Sequence, residues 1–146
     1  MFKAILAPVD GTQGSSNALE VAAQVAGRFE AKIHLLFVVE PYILPYPTGF
    51  SYQELINNAT QMGQDVVEAA AEALLQKGVK HVEKHTLEGH PAPTILECIE
   101  RFSIELIVIG THGRRGLDRI LLGSVAEEVV RRSRVPVLSV HLRDEA

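Results

Sequence analysis

Leu106-Ile107-Val108-Ile109-Gly110-Thr111-His112-Gly113-Arg114-Arg115-Gly116-Leu117-Asp118-Arg119-Ile120-Leu121-Leu122-Gly123-Ser124-Val125-Ala126-Glu127-Glu128-Val129-Val130 is the stretch from which the architecture is read. Its apolar opening, 106–109, has the length and branching of a strand buried on both faces, and residues 126–130 have the pattern of a helix. The unit is therefore strand, glycine-rich loop, helix. Glycines at 110, 113, 116 and 123 permit positive φ and allow a ligand to approach main-chain amides with no Cβ in the way. A helix beginning after Gly123 presents unpaired N–H groups at its positive end, with the Ser124 hydroxyl beside them, and such an end attracts anions. The plain alternative is a tight connection with no ligand.

Working outward, the chain alternates strand and helix patterns. Residues 2–9 read as a first strand that delivers Asp10 and Gly11 into a turn. Thr12, Ser15 and Ser16 offer N-caps for a helix with apolar positions Ala18, Val21, Ala22, Val25 and Phe29. Residues 33–39 read as a second buried strand, closed by Glu40-Pro41. The segment 41–50 holds three prolines and is a long loop, suited to a lid, a partner surface or a plain connection. A long helix is expected from Tyr52 to about Gln76 with Gly78 at its C′ position, and Met62 and the alanines are expected in the core. Residues 79–87 alternate as an edge strand with one wet face would. His81 and His85, four apart, have a metal spacing only on a helix, so on a strand they read as two exposed side chains on one face. Pro91 opens another helix with Ala92, Ile95, Leu96, Ile99 and Phe102 inward, and Val135–Val140 is the last strand.

Strands alternating with helices require a parallel sheet covered on both faces, so the fold class is a doubly wound α/β sandwich with five strands and four helices, in one domain over 1–146. Composition agrees with a chain able to bury a substantial core: 146 residues, of which 47% are hydrophobic and 22% charged. The formal charge of −4 gives no basic face for nucleic acid. Arg131, Arg132 and Arg134 instead sit where cations offset a helix dipole, and two of them are four residues beyond Glu127 and Glu128. The apolar run at the N-terminus is short and closed by Pro8 and Asp10, so it is neither a signal peptide nor a membrane span, and a cytoplasmic protein is expected. Cys98, the single cysteine, is flanked by apolar residues and reads as a core thiol.

Two rival phosphate-binding signatures are absent: no G-x-x-x-x-G-K-[S/T] occurs, and no G-x-G-x-x-G follows the first strand. What is present is Gly110-x2-Gly113-x9-Gly123-Ser124, together with Pro8-Val9-Asp10-Gly11, Gly89-His90-Pro91 and Val135-Pro136-Val137-Leu138-Ser139-Val140. This set resembles the universal stress protein family in its ATP-binding branch, over the whole chain. The resemblance implies a Rossmann-like sheet in the order 3-2-1-4-5, which reverses between strands 1 and 4, where ligands of such sheets bind. It implies ATP, with Mg2+, as the cofactor. Pro8, Val9 and the backbone of Val39 would line the adenine pocket, and Asp10 would meet ribose hydroxyls or hold the magnesium ion. Gly113, Gly123, Ser124 and Val125 would take the phosphates, with Gly110 ending the fourth strand, His112 nearby, and Arg114 and Arg115 screening charge. The bland readings stand beside these: a turn residue for Asp10, core residues for Pro8, Val9 and Val39, and a solvated loop for 112–115. The resemblance also implies a homodimer through strand 135–140 and a role as a nucleotide-dependent module in stress response, acting on a protein partner that the sequence leaves unknown. The alternatives are a slow ATPase or autophosphorylating enzyme, and a nucleotide-independent dimeric chaperone or scaffold. Of the parts that phosphoryl transfer needs, the sequence offers only one carboxylate, Asp10, and an arginine pair, so an enzyme is the weaker expectation and no catalytic residue is assigned.

Overall fold

The computed structural model describes residues 1–41, 51–111 and 123–141. Within them the chain forms β1 (Ala4–Pro8), α1 (Gln13–Phe29), β2 (Lys32–Val39), α2 (Tyr52–Gln76), β3 (Val82–Glu88), α3 (Pro91–Arg101), β4 (Leu106–Gly110), α4 (Ser124–Arg132) and β5 (Val137–Val140). All strand pairs are parallel and the sheet order is β3-β2-β1-β4-β5, as expected.

The strands' period of two divides their side chains between two cores. Ile5, Ala7, Ile33, Leu35, Phe37, Leu106 and Val108 face α1 and α2, while Leu6, Leu36, Ile107 and Ile109 face α3 and α4. The first interface is unusually close. α1 turns Gly14, Ser15, Ala18 and Ala22 inward, and these small residues bring its first turn against β4. A Cβ built on Gly110 would meet the Gly14 carbonyl oxygen at 2.6 Å. Gly110 is thus glycine for helix packing, whatever else it does. Its backbone is not in the left-handed region that glycine alone favours.

α2 follows its expected limits, with refinements at both ends and in its phase. Ser51 caps it: the Glu54 N–H donates to Ser51 Oγ (3.1 Å) and the Ser51 N–H to Glu54 Oε2 (3.2 Å), a reciprocal box. Gly78, at φ 91, takes the left-handed position just beyond the end. The expectation that Met62 lies in the core is wrong, for Met62 is 44% exposed. The buried stripe runs through Ile56, Gly63, Val67, Ala70 and Leu74, and a Cβ on Gly63 would meet the Phe37 ring at 2.5 Å. Bulk that a methionine would supply comes instead from a phenylalanine on the sheet.

β3 is an edge strand, but it begins at Val82, which leaves His81 outside it and exposed. His85 is not a second exposed side chain. It packs against Phe102 (ring centroids 4.0 Å apart) and meets buried His34 of β2, which the β2–β3 register brings alongside. Burial holds both imidazoles below their ordinary range against the opposing pull of Glu83. Cys98 is buried on α3, and burial pushes its thiol up to about 11, as a core thiol requires. Arg132 pairs with Glu128 at 2.6 Å and Arg134 pairs with Glu100, which bears out the structural reading of those two arginines.

Candidate functional site

β1 and β4 are hydrogen-bonded neighbours, with Ile5 opposite Leu106 and Leu6 opposite Ile107. The chain leaves β1 for a helix on one face and leaves β4 for a helix on the other. The gap between the carboxyl ends of β1 and β4, where the chain departs to opposite faces, is where ligands of a doubly wound sheet bind.

The β1 side of the crevice is a turn closed by its own side chains. Gly11 takes φ 84, which lets the chain reverse directly after Asp10. Asp10 Oδ1 accepts from the Thr12 N–H at 2.9 Å and from the Thr12 hydroxyl at 2.5 Å. Thr12 Oγ1 in turn accepts from the Ser15 N–H (3.4 Å) and caps α1. The Asp10 N–H faces Ser15 Oγ at 3.4 Å. Asp10 is therefore a turn residue in fact, and any ligand contact it makes is added to that role. Val9 is buried and donates its N–H to the Leu36 carbonyl (2.9 Å). Val39 is buried at the end of β2, and its carbonyl accepts from the Gly89 N–H at 2.9 Å.

The β4 side is built mostly from backbone. Thr111, only 1% exposed, donates its N–H to the Val140 carbonyl at 3.1 Å, which ties the end of β4 to β5. Its own carbonyl accepts from the Gly123 N–H at 2.7 Å. That bond joins the two ends of the segment 112–122 at its base. Gly123 then serves as N-cap of α4, with its carbonyl accepting from the Glu127 N–H at 2.9 Å. The N–H groups of Ser124 and Val125 form the positive end of α4, and no partner occupies them among the described residues. The Ser124 side chain is exposed beside them.

The structure thus gathers Pro8, Val9, Asp10, Val39, Gly110, Gly123, Ser124 and Val125 around the carboxyl ends of β2, β1 and β4. His112, Gly113, Arg114 and Arg115 lie outside the described residues. One assignment changes in detail: the Gly123 amide is committed to Thr111, so at α4 an anion would be met by Ser124 and Val125 first. Thr12 is the N-cap that the sequence offers and Ser15 its partner, but their contacts with Asp10, and Thr111 altogether, go beyond the sequence reading. An Asp-Gly-Thr run is a legible turn signal. Thr111 carried no local signal, because its role depends on β5, 29 residues away.

The family model of the universal stress protein family matches residues 1–141. The universal stress protein MJ0531 of Methanocaldococcus jannaschii is 36% identical over 142 residues, covering 96% of this chain and 82% of that protein. Among solved structures, the hypothetical protein MJ0577, whose biochemical function was assigned from its structure, superposes with a TM-score of 0.87 at 29% identity over 99% of both chains. A universal stress protein solved in complex with cAMP superposes at 0.76 with 22% identity, over 97% of this chain and 99% of that one, a likeness of fold. By sequence over nearly its whole length and by fold, this chain belongs to the universal stress protein family.

Proposed function

We propose that the chain is a single-domain, nucleotide-dependent regulatory module that holds ATP, with Mg2+, in the crevice between β1 and β4. The observation that carries this reading is the closure of 112–122 by the Gly123–Thr111 hydrogen bond. It fixes where α4 begins, and the reading has the Ser124 and Val125 amides at that positive end act together with the Asp10 carboxylate at the end of the neighbouring strand. The donor set fits the ligand. Backbone N–H groups at a helix start suit phosphate oxygens, and a carboxylate held by Thr12 suits a ribose hydroxyl or magnesium. The cAMP bound by one fold relative is in keeping with an adenine nucleotide. Pro8, Val9 and the backbone of Val39 would border the base, and Gly123 would carry no side chain into the space of the phosphates. Each charge-assisted hydrogen bond contributes roughly 1.5–3 kcal/mol, so a few of them give micromolar affinity after ordering costs. Magnesium, when bound, would neutralise part of the phosphate charge.

The reading extends to a homodimer through β5. This strand lies at the sheet edge, and its apolar Leu138 is 38% exposed. An unpaired apolar edge invites strand addition. Sedimentation at micromolar concentration is expected to give a dimer mass that Leu138→Lys lowers, and a monomer in the unmutated protein removes the dimer.

The nucleotide reading is tested by releasing small molecules from the purified, heat-denatured protein for mass spectrometry, followed by calorimetry with ATP and magnesium. Co-purified adenine nucleotide or micromolar binding is expected. No nucleotide in the first measurement and no saturation up to millimolar ATP in the second would overturn it.

A further inference from the structure

At the other edge of the sheet, where β2 and β3 meet Phe102 at the end of α3, three groups with metal-ligating atoms converge. His34 Nδ1 of β2 lies 3.0 Å from His85 Nε2 of β3 and 3.0 Å from Glu83 Oε2, and Glu83 Oε2 lies 3.7 Å from His85 Nε2. The three atoms form a compact triangle. Ligands about 2.0–2.1 Å from a tetrahedral zinc ion are separated from one another by roughly 3.3 Å, and the observed edges straddle that value.

Hydrogen bonding satisfies only two of these three groups at a time. An imidazole nitrogen carries either a hydrogen or a lone pair, so His34 Nδ1 cannot donate to Glu83 and accept from His85 at once. The ring centroids lie 5.3 Å apart for an N···N distance of 3.0 Å, so the two nitrogens meet nearly head-on and one hydrogen bridges them, which leaves Glu83 Oε2, 3.0 Å from Nδ1, with no hydrogen from His34. A cation just off the plane of the triangle, with the imidazoles turned slightly toward it, takes a lone pair from each of the three atoms.

The surroundings hold the three groups in place. His34 is 5% exposed in the floor of the site, and the parallel register sets it directly opposite Glu83. Phe102 lies against both rings, with interplanar angles of 15° to His34 and 19° to His85. Lys32 Nζ binds the other carboxylate oxygen, Glu83 Oε1, at 3.2 Å, which leaves Oε2 directed at the histidines. Ligating carboxylates are commonly oriented by such an outer partner. Lys32, and Arg101 whose guanidinium lies 5.4 Å from the Phe102 ring, are the nearby cations that oppose a dication, so the affinity is set against their charge.

We propose that His34 Nδ1, Glu83 Oε2 and His85 Nε2 form a binding site for a late first-row dication of the Zn2+ class. Two imidazoles and one carboxylate suit zinc, copper or nickel over magnesium or calcium. Three protein ligands leave a fourth tetrahedral position, and the half-exposed Glu83 side of the cluster opens it to solvent, so water or a donor from another molecule completes the shell. The site is apart from the nucleotide crevice and does not depend on it.

The test is competition for Zn2+ between the nucleotide-free, untagged protein and a chromophoric chelator, followed by X-ray absorption of the zinc-loaded protein. One zinc per chain is expected, with a first shell of nitrogen and oxygen that includes two imidazoles. His85→Ala is expected to weaken binding more than about a hundredfold, since losing even an outer partner costs about 10–100-fold. Glu83→Gln is expected to weaken it at least tenfold. His81→Ala, outside the cluster, leaves it unchanged. Because His85 and Glu83 are partly exposed, both variants are expected to fold, which circular dichroism checks without substituting buried His34. Absence of saturable zinc binding, unchanged affinity in His85→Ala, or sulfur in the first shell would overturn the site.

Discussion

The crevice at the ends of β1 and β4 and the cluster on β2 and β3 are built from different materials. The proposed crevice is mainly backbone: a turn closed by Asp10 and Thr12, the hydrogen bond between Gly123 and Thr111, and the amide end of α4. The cluster is mainly side chains, whose meeting depends on the register that sets His34, Glu83 and His85 on adjoining strands. A site made of backbone is damaged chiefly by adding atoms where there was only space. A site made of side chains is damaged by removing one of them.

The sharpest attack on the backbone site is Gly123→Val. A branched side chain at the start of α4 places bulk beside the Ser124 and Val125 amides. ATP affinity is expected to fall about a hundredfold, near 2.7 kcal/mol, measured by calorimetry, with a smaller loss of stability in the absence of ligand. Unchanged affinity would show that the phosphates lie elsewhere.

Gly110→Ala separates packing from binding within the same loop. Its new Cβ would press on backbone atoms of Gly14 rather than on a mobile side chain. Overpacking of this kind costs roughly 1–3 kcal/mol, read as a lower denaturation midpoint. A variant as stable as the parent would mean that α1 shifts freely, and Gly110 would return to the list of ligand glycines.

A weaker effect isolates the side-chain charge that the proposed site would use. Asp10→Asn keeps an oxygen for Thr12 and removes the charge. The turn and the melting temperature should persist while affinity for magnesium-ATP falls about tenfold, or 1.4 kcal/mol. Equal affinity in the two proteins would leave Asp10 with its turn alone. Nucleotide turnover in the parent is expected to stay far below the ~10 per second typical of enzymes, and fast magnesium-dependent phosphate release lost in Asp10→Asn would favour the enzyme instead.

The smallest expected effect is a null one, at a side chain with chemistry but no access. Cys98 lies on the buried side of α3 with its thiol pushed up to about 11 by burial. Native protein at pH 8 should not react with a thiol reagent until it is unfolded. Rapid native labelling would place Cys98 among the exposed, reactive groups.

Much of this was legible in the residues themselves. Short apolar runs alternating with amphipathic ones specify parallel strands and covering helices, because only that arrangement buries both faces of each strand. The limits of α2 at Tyr52–Gln76 and the left-handed Gly78 follow from local spacing and local backbone preference. The turn after β1 and the start of α4 were legible for the same reason: Asp10-Gly11-Thr12 closes within three residues, and a helix after Gly123 is signalled by its own periodicity.

What the sequence determined alone is therefore what neighbouring residues decide together: the order of elements, their caps and turns, and the residues at the ends of β1 and β4. What the tertiary structure decided is what distant residues decide together. It turned α2 so that Gly63, not Met62, meets Phe37, and it made Gly110 a packing residue by setting α1 upon it. It joined Thr111 to Val140, and it brought His34 to His85 across 51 residues of chain. The physical reason is that hydrogen-bonded turns and helical periodicity act over a few residues, whereas register and interhelical contact are set only when the whole sheet has paired and both its faces have been buried.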